Sequence, residues 1–448
     1  PGIEKLLNSR TLILLQNNDE ARPTGGFIGS YLLLDLENSA IENFQIEDVY
    51  DIDDPYANDP SREIIEPPEE IKKLTGRWFF RDSNYSADFS ISGEKALWFY
   101  EQESSPKTSS TSPPKPVQTI GAVTHTLLGR LLEITGPIEM VELQHPVTAE
   151  NYRYVFTYII ESKFEGYEDP KKILKKFGPI FQKRLMQKEN FGRIRKVLLE
   201  EITKKNVLGY SRDEEIQAFF EVLGMDGRMH EEQEGEDYLA IIMSNIGGNK
   251  SDANVSQTVS HKTTINADDG ILNALTIERT HRWNETEFSK WKNALKAFGY
   301  KDFPPHIVSI MGQGDNKSSM RIYVPYGSIL QTAEGIDIEK VATKYDPDTK
   351  KTYFIFDFDL ESGSKKSITL TYLLPFQFSD TYRLFVEKQP GVRPWIFHKT
   401  LDGNEQLEWL KYYPEEEMPV KKLIEKNFFF GALANHIHQS PASNTDEL

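Results

Sequence analysis

Thr11-Leu12-Ile13-Leu14-Leu15-Gln16-Asn17-Asn18-Asp19-Glu20-Ala21-Arg22-Pro23-Thr24-Gly25-Gly26-Phe27-Ile28 is the stretch on which the fold turns. Its first five residues are almost wholly apolar and then stop abruptly, which predicts a buried strand over 11–15. A second apolar run, 27–36, begins directly after Gly26. The pair reads as two strands joined by the loop 16–26, which is too polar and too rich in Gly and Pro to lie in a core. Ligands of open α/β sheets bind beyond the carboxyl ends of the strands, so this loop is the first place to look for a site.

Working outward, the acidic, Pro- and Asn-bearing stretch 48–60 reads as surface connection, and Pro67-Pro68 precedes a short helix predicted over 69–74. Trp78-Phe79-Phe80 reads as a further buried strand running into the polar loop 81–88. Residues 90–101 place Ile91, Ala96, Leu97, Phe99 and Tyr100 at helical spacing behind a Ser N-cap. The low-complexity stretch 104–116 is a flexible loop on composition. A strand over 117–123 and a helix over 122–134 follow, the helix ending at Gly136-Pro137. Residues 151–223 read as helix and turn throughout, with breaks at Gly166 and Gly178-Pro179. A strand returns at 237–243 and again ends in a loop of Asn, Gly and Lys, 244–252. Beyond about residue 254 the alternation in 255–265, 272–280, 320–324, 352–360, 367–373 and 382–388 has the spacing of a β-sandwich, with one helix expected over 285–298. The chain closes on an acidic stretch and, from about residue 439, a polar tail expected to be disordered.

At 448 residues the chain exceeds the usual single-domain size, so at least two cores are expected. The organisation predicted is an α/β domain over 1–235 carrying the helical segment 151–223, a β-rich sandwich-like domain over 236–415, and a C-terminal extension over 416–448. No run approaches the roughly 18 apolar residues of a membrane helix. The sequence starts at Pro1-Gly2 without a methionine, and a strand follows within about ten residues, so an upstream signal peptide or anchor is expected to precede it. The absence of cysteine rules out disulfides, thiolate zinc sites and a Cys nucleophile. A net charge of −17 argues against nucleic acid as a partner, since that role needs a basic face. Residues 171–205 are the one basic stretch of note.

The candidate ligand-binding residues are the polar side chains of the three strand-end loops: Asn17, Asn18 and Arg22, then Arg81, Asp82, Asn84 and Asp88, then Asn245, Asn249 and Lys250. Arginine grips phosphate or carboxylate in bidentate fashion, and glycine-rich backbone supplies further N–H donors. The competing reading is that these side chains cap helices and tie loops together. Arg22 and Arg81 are the preferred anion ligands. Clustered oxygens in Asp48-Val49-Tyr50-Asp51-Ile52-Asp53-Asp54 would suit Mg or Ca, with Asp48 and Asp51 as candidates, but the spacing is not that of an EF-hand and a solvated acidic loop is favoured. His436 and His438 lack further ligands. Walker, nucleophile-elbow, zincin and dinucleotide signatures are absent.

The run from Leu14 to Tyr31 closely resembles the signature of a bacterial family known as domain of unknown function 4012. Further matches follow in order: Asp48-Val49-Tyr50-Asp51, Pro67-Pro68, Arg81-Asp82-Ser83-Asn84-Tyr85-Ser86-Ala87-Asp88-Phe89, Leu132-Glu133-Ile134-Thr135-Gly136-Pro137-Ile138, Asn245-Ile246-Gly247-Gly248-Asn249-Lys250-Ser251-Asp252, Tyr323-Val324-Pro325-Tyr326-Gly327-Ser328 and Lys388-Gln389-Pro390-Gly391. The resemblance implies a membrane-anchored protein with its bulk outside the cell. That family's order of elements is in turn similar to the LytR-CpsA-Psr phosphotransferases, which move glycopolymers from a polyprenyl pyrophosphate carrier onto the cell wall. The fold class implied is therefore a LytR-CpsA-Psr-like α/β sheet domain with a helical insertion, followed by a β-sandwich-like domain.

The sequence departs from the enzymes where it matters: Asn18 stands at the first acidic metal ligand, and Gly25-Gly26-Phe27 at the R-x-D. Metal-assisted phosphoryl transfer needs anionic oxygens to hold the ion, and Asn supplies no charge. What is expected is an extracytoplasmic cell-envelope protein that binds, with transfer left open, a phosphate- or pyrophosphate-linked glycopolymer or lipid-linked saccharide, tethered to the cytoplasmic membrane. The alternative is a non-catalytic surface protein for adhesion or envelope assembly.

Overall fold

The structure is a computed structural model describing residues 1–69, 71–104, 116–163, 169–266, 268–379, 381–402, 407–409 and 420–434. The low-complexity stretch 105–115, the break at Gly166, the His436/His438 pair and the tail lie outside the described residues. The fold is mixed α/β, with three mixed sheets.

The first sheet contains β1 (Arg10–Asn17), β2 (Phe27–Glu37), β3 (Ala40–Asp48), β4 (Thr119–Thr124) and β5 (Val207–Ser211), in the order β3-β2-β1-β4-β5. Only β1 and β4 run parallel; the other neighbours are antiparallel. The helices of this half are α1 (Gly2–Leu6), α2 (Tyr50–Asn58), α3 (Phe89–Ser104), α4 (His125–Thr135), α5 (Tyr152–Glu161), α6 (Lys172–Leu185), α7 (Phe191–Thr203) and α8 (Glu214–Leu223). One face of the sheet packs Leu12, Leu14, Ile120 and Leu208 against Phe89, Leu97 and Phe99 of α3. A second cluster joins Val207 of β5 to Leu127 and Leu131 of α4 and Val197 and Ile202 of α7. The alternation of β1 is why its apolar run is buried: Leu12 and Leu14 are wholly covered while Ile13 and Leu15 are half-buried.

The remaining strands are β6 (Glu236–Asn245), β7 (Val255–Ile265), β8 (Gly270–His281), β9 (Asn316–Val324), β10 (Ile329–Glu334), β11 (Ala342–Asp346), β12 (Lys351–Leu360), β13 (Lys365–Gln377), β14 (Thr381–Glu387), β15 (Trp395–Asp402), β16 (Leu407–Trp409), β17 (Val420–Ile424) and β18 (Phe428–Ala434). They form a six-stranded sheet, β10-β13-β8-β7-β15-β17, and a seven-stranded one, β11-β12-β9-β6-β14-β18-β16. Val259, Leu275, Ile277 and Leu370 of the first meet Leu239, Met320, Phe354 and Leu384 of the second in one core. All ten residues of β6 are buried, because its other face, Tyr238, Ala240 and Ile242, packs with Ala87 and Met229 of the N-terminal half. Helix α9 (Glu285–Ala297), inserted between β8 and β9, sets Trp291 and Leu295 into a core shared with Val155, Tyr158 and Ile159 of α5.

Several local expectations are corrected. Trp78-Phe79-Phe80 is not a strand; Phe80–Asp82 is one 3-10 turn, with Trp78 and Phe80 plugged into the α3 core. Residues 71–74 make turns, not a helix. The connection 48–60 contains α2, and the all-helical reading of 151–223 missed β5. Beyond residue 415, where an extension was expected, β17 and β18 add to the two large sheets.

Candidate active site

Because β1 and β4 are parallel neighbours, the chain leaves both at the same end of the sheet, and Asp19 and His125 lie side by side beyond those ends. Asp19 Oδ1 is 3.4 Å from His125 Nε2. From α5, Arg153 clasps the same carboxylate, its Nε donating to Oδ2 at 2.9 Å and its Nη2 to Oδ1. Burial works against the Asp19 charge, but Arg153 and His125 outweigh it and hold the carboxyl below its usual range. The same burial, helped by Arg153 and Arg393, pushes the His125 imidazole down to about 4. It is therefore neutral at pH 7.

Asp19 and Arg153 border a cavity of about 170 Å³ whose lining also includes Tyr154, Lys250, Trp283, Trp291 and Arg393. Lys250 donates to Glu20 Oε2 at 2.8 Å and faces Glu161 Oε1 at 3.3 Å, so its charge is answered by protein carboxylates. Arg393 is different. It follows Gly391 on the loop into β15 and among the described residues makes no hydrogen bond or ion pair; its side chain is solvent-accessible, yet partial desolvation in the cleft and the repulsion of Arg153 lower its pKa, with Asp19 opposing at longer range. Trp291 is 2% exposed, and its indole N–H lacks an acceptor among the described residues. The cleft thus offers an uncommitted guanidinium, a second one beside it and two half-buried aromatic faces, Tyr154 and Trp283. An unpaired guanidinium suits a phosphate or carboxylate, and aromatic faces suit an amphipathic ring.

The three loops do meet, though the second follows a turn and not a strand, and they largely satisfy one another. Arg22 is 4% exposed, bonding the Asn245 carbonyl at 2.7 Å and Glu20 at 3.1 Å, while its own carbonyl takes Gln389 Nε2 at 3.0 Å. Asn17 Oδ1 accepts the Asp19 N–H, and Asn18 Nδ2 donates to the Gly391 carbonyl and Thr126 Oγ1. Arg81 pairs with buried Asp53 at 2.9 Å and approaches Asp82 at 3.6 Å. Burial foremost raises the Asp82 pKa, against Arg22 and Arg81. Asn84 bridges Gln16 and the Gly26 carbonyl, Asp88 accepts from Ser90 and Met229 N–H groups, Asn245 bonds Asp252, and Asn249 bonds the Asp315 carbonyl. Of the expected set only Lys250 lines the cleft.

The geometry does not fit a divalent ion. Asp48 is held by Lys171 at 2.7 Å and Asp51 by Lys175 at 3.4 Å. Both Asp19 oxygens face Arg153, and Glu20 lies between Arg22 and Lys250. Among the described residues no group of three or more His, Asp or Glu side chains converges for a metal, so no step is derived through one.

Sequence reasoning passed over Asp19, which sits inside the opening stretch, in favour of its neighbours. His125 was within reach, as the first residue after a strand. Arg153, Trp283 and Arg393 carry no local signal; they meet only because α5, α9 and the β14–β15 loop converge on one end of the first sheet.

No curated protein matches the chain. Among solved structures it is similar to a protein described as nutrient-binding from Legionella pneumophila, with 4% identity, a TM-score of 0.25 and coverage of 44% of this chain and 70% of that one. Yeast LTA4 hydrolase in complex with bestatin gives 6%, 0.23, 41% and 29%, and a protein described as a protease from Parabacteroides distasonis 9%, 0.20, 40% and 40%. None of these scores marks a shared fold. Over residues 8–158 the chain matches the model of the family described as "Protein of unknown function (DUF4012)".

Proposed function

We propose that the chain is the extracytoplasmic part of a bacterial cell-envelope protein that binds the phosphate or pyrophosphate of a glycopolymer or lipid-linked saccharide in the cleft between Arg153 and Arg393. The supporting observation is Arg393: a guanidinium without a hydrogen-bonded acceptor, facing a cavity that already holds Arg153, Lys250 and two aromatic faces. The ligand class is motivated by the resemblance noted in the sequence to the LytR-CpsA-Psr phosphotransferases. The carboxylates, all engaged by cations, favour binding over metal-dependent transfer. No helix among the described residues is long and apolar enough to cross a membrane.

The test is titration calorimetry with a short-chain prenyl pyrophosphate disaccharide. Arg393→Ala should weaken binding about 10- to 100-fold, the worth of one charge-assisted bond pair, whereas Arg22→Ala, if folded, should act only through stability. Binding indifferent to Arg393 and Arg153 would sink the proposal. The second reading, adhesion or assembly through the β-rich half, draws support from a separate aromatic surface there.

A further inference from the structure

The motif Tyr323-Val324-Pro325-Tyr326-Gly327-Ser328 plays no part in the cleft. It forms a turn between β9 and β10, closed by Ser328 N–H on the Pro325 carbonyl at 3.1 Å and by Gly327 N–H on Thr352 Oγ1 at 3.0 Å. Gly327 has φ +88°, and a Cβ there would sit 3.2 Å from that of Pro375, so the turn is specific to glycine. The result is a tyrosine held outward at 65% exposure. The Tyr345 ring of β11, 51% exposed, meets it edge-on at 4.9 Å. Beside the pair opens a groove of about 370 Å³ with Pro325, Pro375 and Phe376 along it and four glutamates, 231, 232, 234 and 236, against a single lysine, Lys350.

Two of those glutamates are spent, Glu232 on Lys351 and Glu236 on His230. Glu231 and Glu234 are exposed and form no ion pair among the described residues. Alongside, β11 is the outermost strand of its sheet among the described residues, the kind of edge to which an extended chain can add. Uncommitted carboxylates, exposed aromatic faces and an open strand edge together recognise one chemistry: a lysine's ammonium, its aliphatic stem, and an extended backbone.

We infer that this groove docks an extended, lysine-bearing peptide, its ammonium groups against Glu231 and Glu234 and its stems over Tyr326. The inference is independent of the anion cleft and supplies the partner chemistry that the adhesion or assembly reading lacks. The probe is a fluorescein-labelled ten-residue peptide of alternating lysine and serine, followed by anisotropy on the full chain at near-physiological salt. Tyr326→Ala, and separately the pair Glu231→Gln with Glu234→Gln, should each weaken binding at least about fivefold. Arg393→Ala and a remote acidic pair, Glu37→Gln with Glu42→Gln, should leave it unchanged. An affinity that falls equally with the remote pair would reduce the effect to net charge and overturn the inference. So would indifference to Tyr326→Ala, equal binding of the lysine-acetylated peptide, no binding at all, or Tyr326-dependent binding of a neutral glycan instead.

Discussion

Arg153 and Arg393 line the same cavity yet have opposite structural roles, and that contrast is testable. Asp19 is 7% exposed and depends on Arg153; removing the guanidinium leaves a buried carboxylate unpaired, so Arg153→Ala should cost about 3 kcal/mol in urea unfolding. Arg393 holds nothing in place, and Arg393→Ala should shift stability by less than about 0.5 kcal/mol while lowering anion affinity. Equal destabilisation by both would make Arg393 structural. A second pair, Asp53 and Glu103, is buried with a carboxyl oxygen of each lacking a donor. Burial first, then the Asp53 neighbour, push Glu103 up to about 10. The folded chain therefore keeps a proton that the unfolded chain sheds near the ordinary glutamate value of 4.5, so this contribution is full below that pH and declines as pH rises toward 10. Glu103→Gln keeps the site neutral, and its midpoint in thermal unfolding should vary less between pH 5 and 9 than that of the parent. An unchanged pH slope would mean that the carboxyl is ionised.

At the scale of elements, what was legible in the sequence follows burial. β1 and β2 declare themselves as apolar runs because each is an interior strand with a core face, and β6 because it is buried on both faces. β3, with the sequence AIENFQIED, escaped because it is the outermost strand and only Asp48 at its end is buried. β5 is five residues between helices. Trp78-Phe79-Phe80 shows the reverse: three apolar residues specify burial but not the backbone that achieves it. Three of the motifs behind the family resemblance, around residues 21–25, 245–252 and 388–391, form an interlocked junction. Gly391 has φ +71°, and a Cβ there would lie 2.5 Å from the Gly25 carbonyl oxygen, so the loop before β15 can seat on the loop after β1 only through two glycines. Gly391→Ala should therefore cost about 2 kcal/mol or more and, by displacing the adjoining Arg393, weaken anion binding. If denaturant midpoints do not move, the junction is looser than the geometry requires.

Over the whole molecule, the two halves are joined through groups that neither could leave unpaired alone. Ala21 pairs with Asn245 through backbone, Arg22 reaches the Asn245 carbonyl, and Gln389 ties Arg22 to Met243. The functional surfaces sit on opposite terms with that junction: the cleft is built by it, from α5, α9 and the β14–β15 loop, while the Tyr326 groove lies on the β-rich half apart from it. None of the cleft's cations could be paired by reading the sequence, since residues 153, 250 and 393 meet only once both halves are assembled. The central claim is that an anionic group lodges between Arg153 and Arg393. The most direct measurement is a crystal structure with the prenyl pyrophosphate disaccharide bound. The geometry predicts a phosphate within about 3 Å of the Arg393 guanidinium, with a sugar ring against Trp283 or Tyr154. A phosphate seated instead on Arg22 or Arg81, or anywhere beyond reach of Arg393, would contradict it.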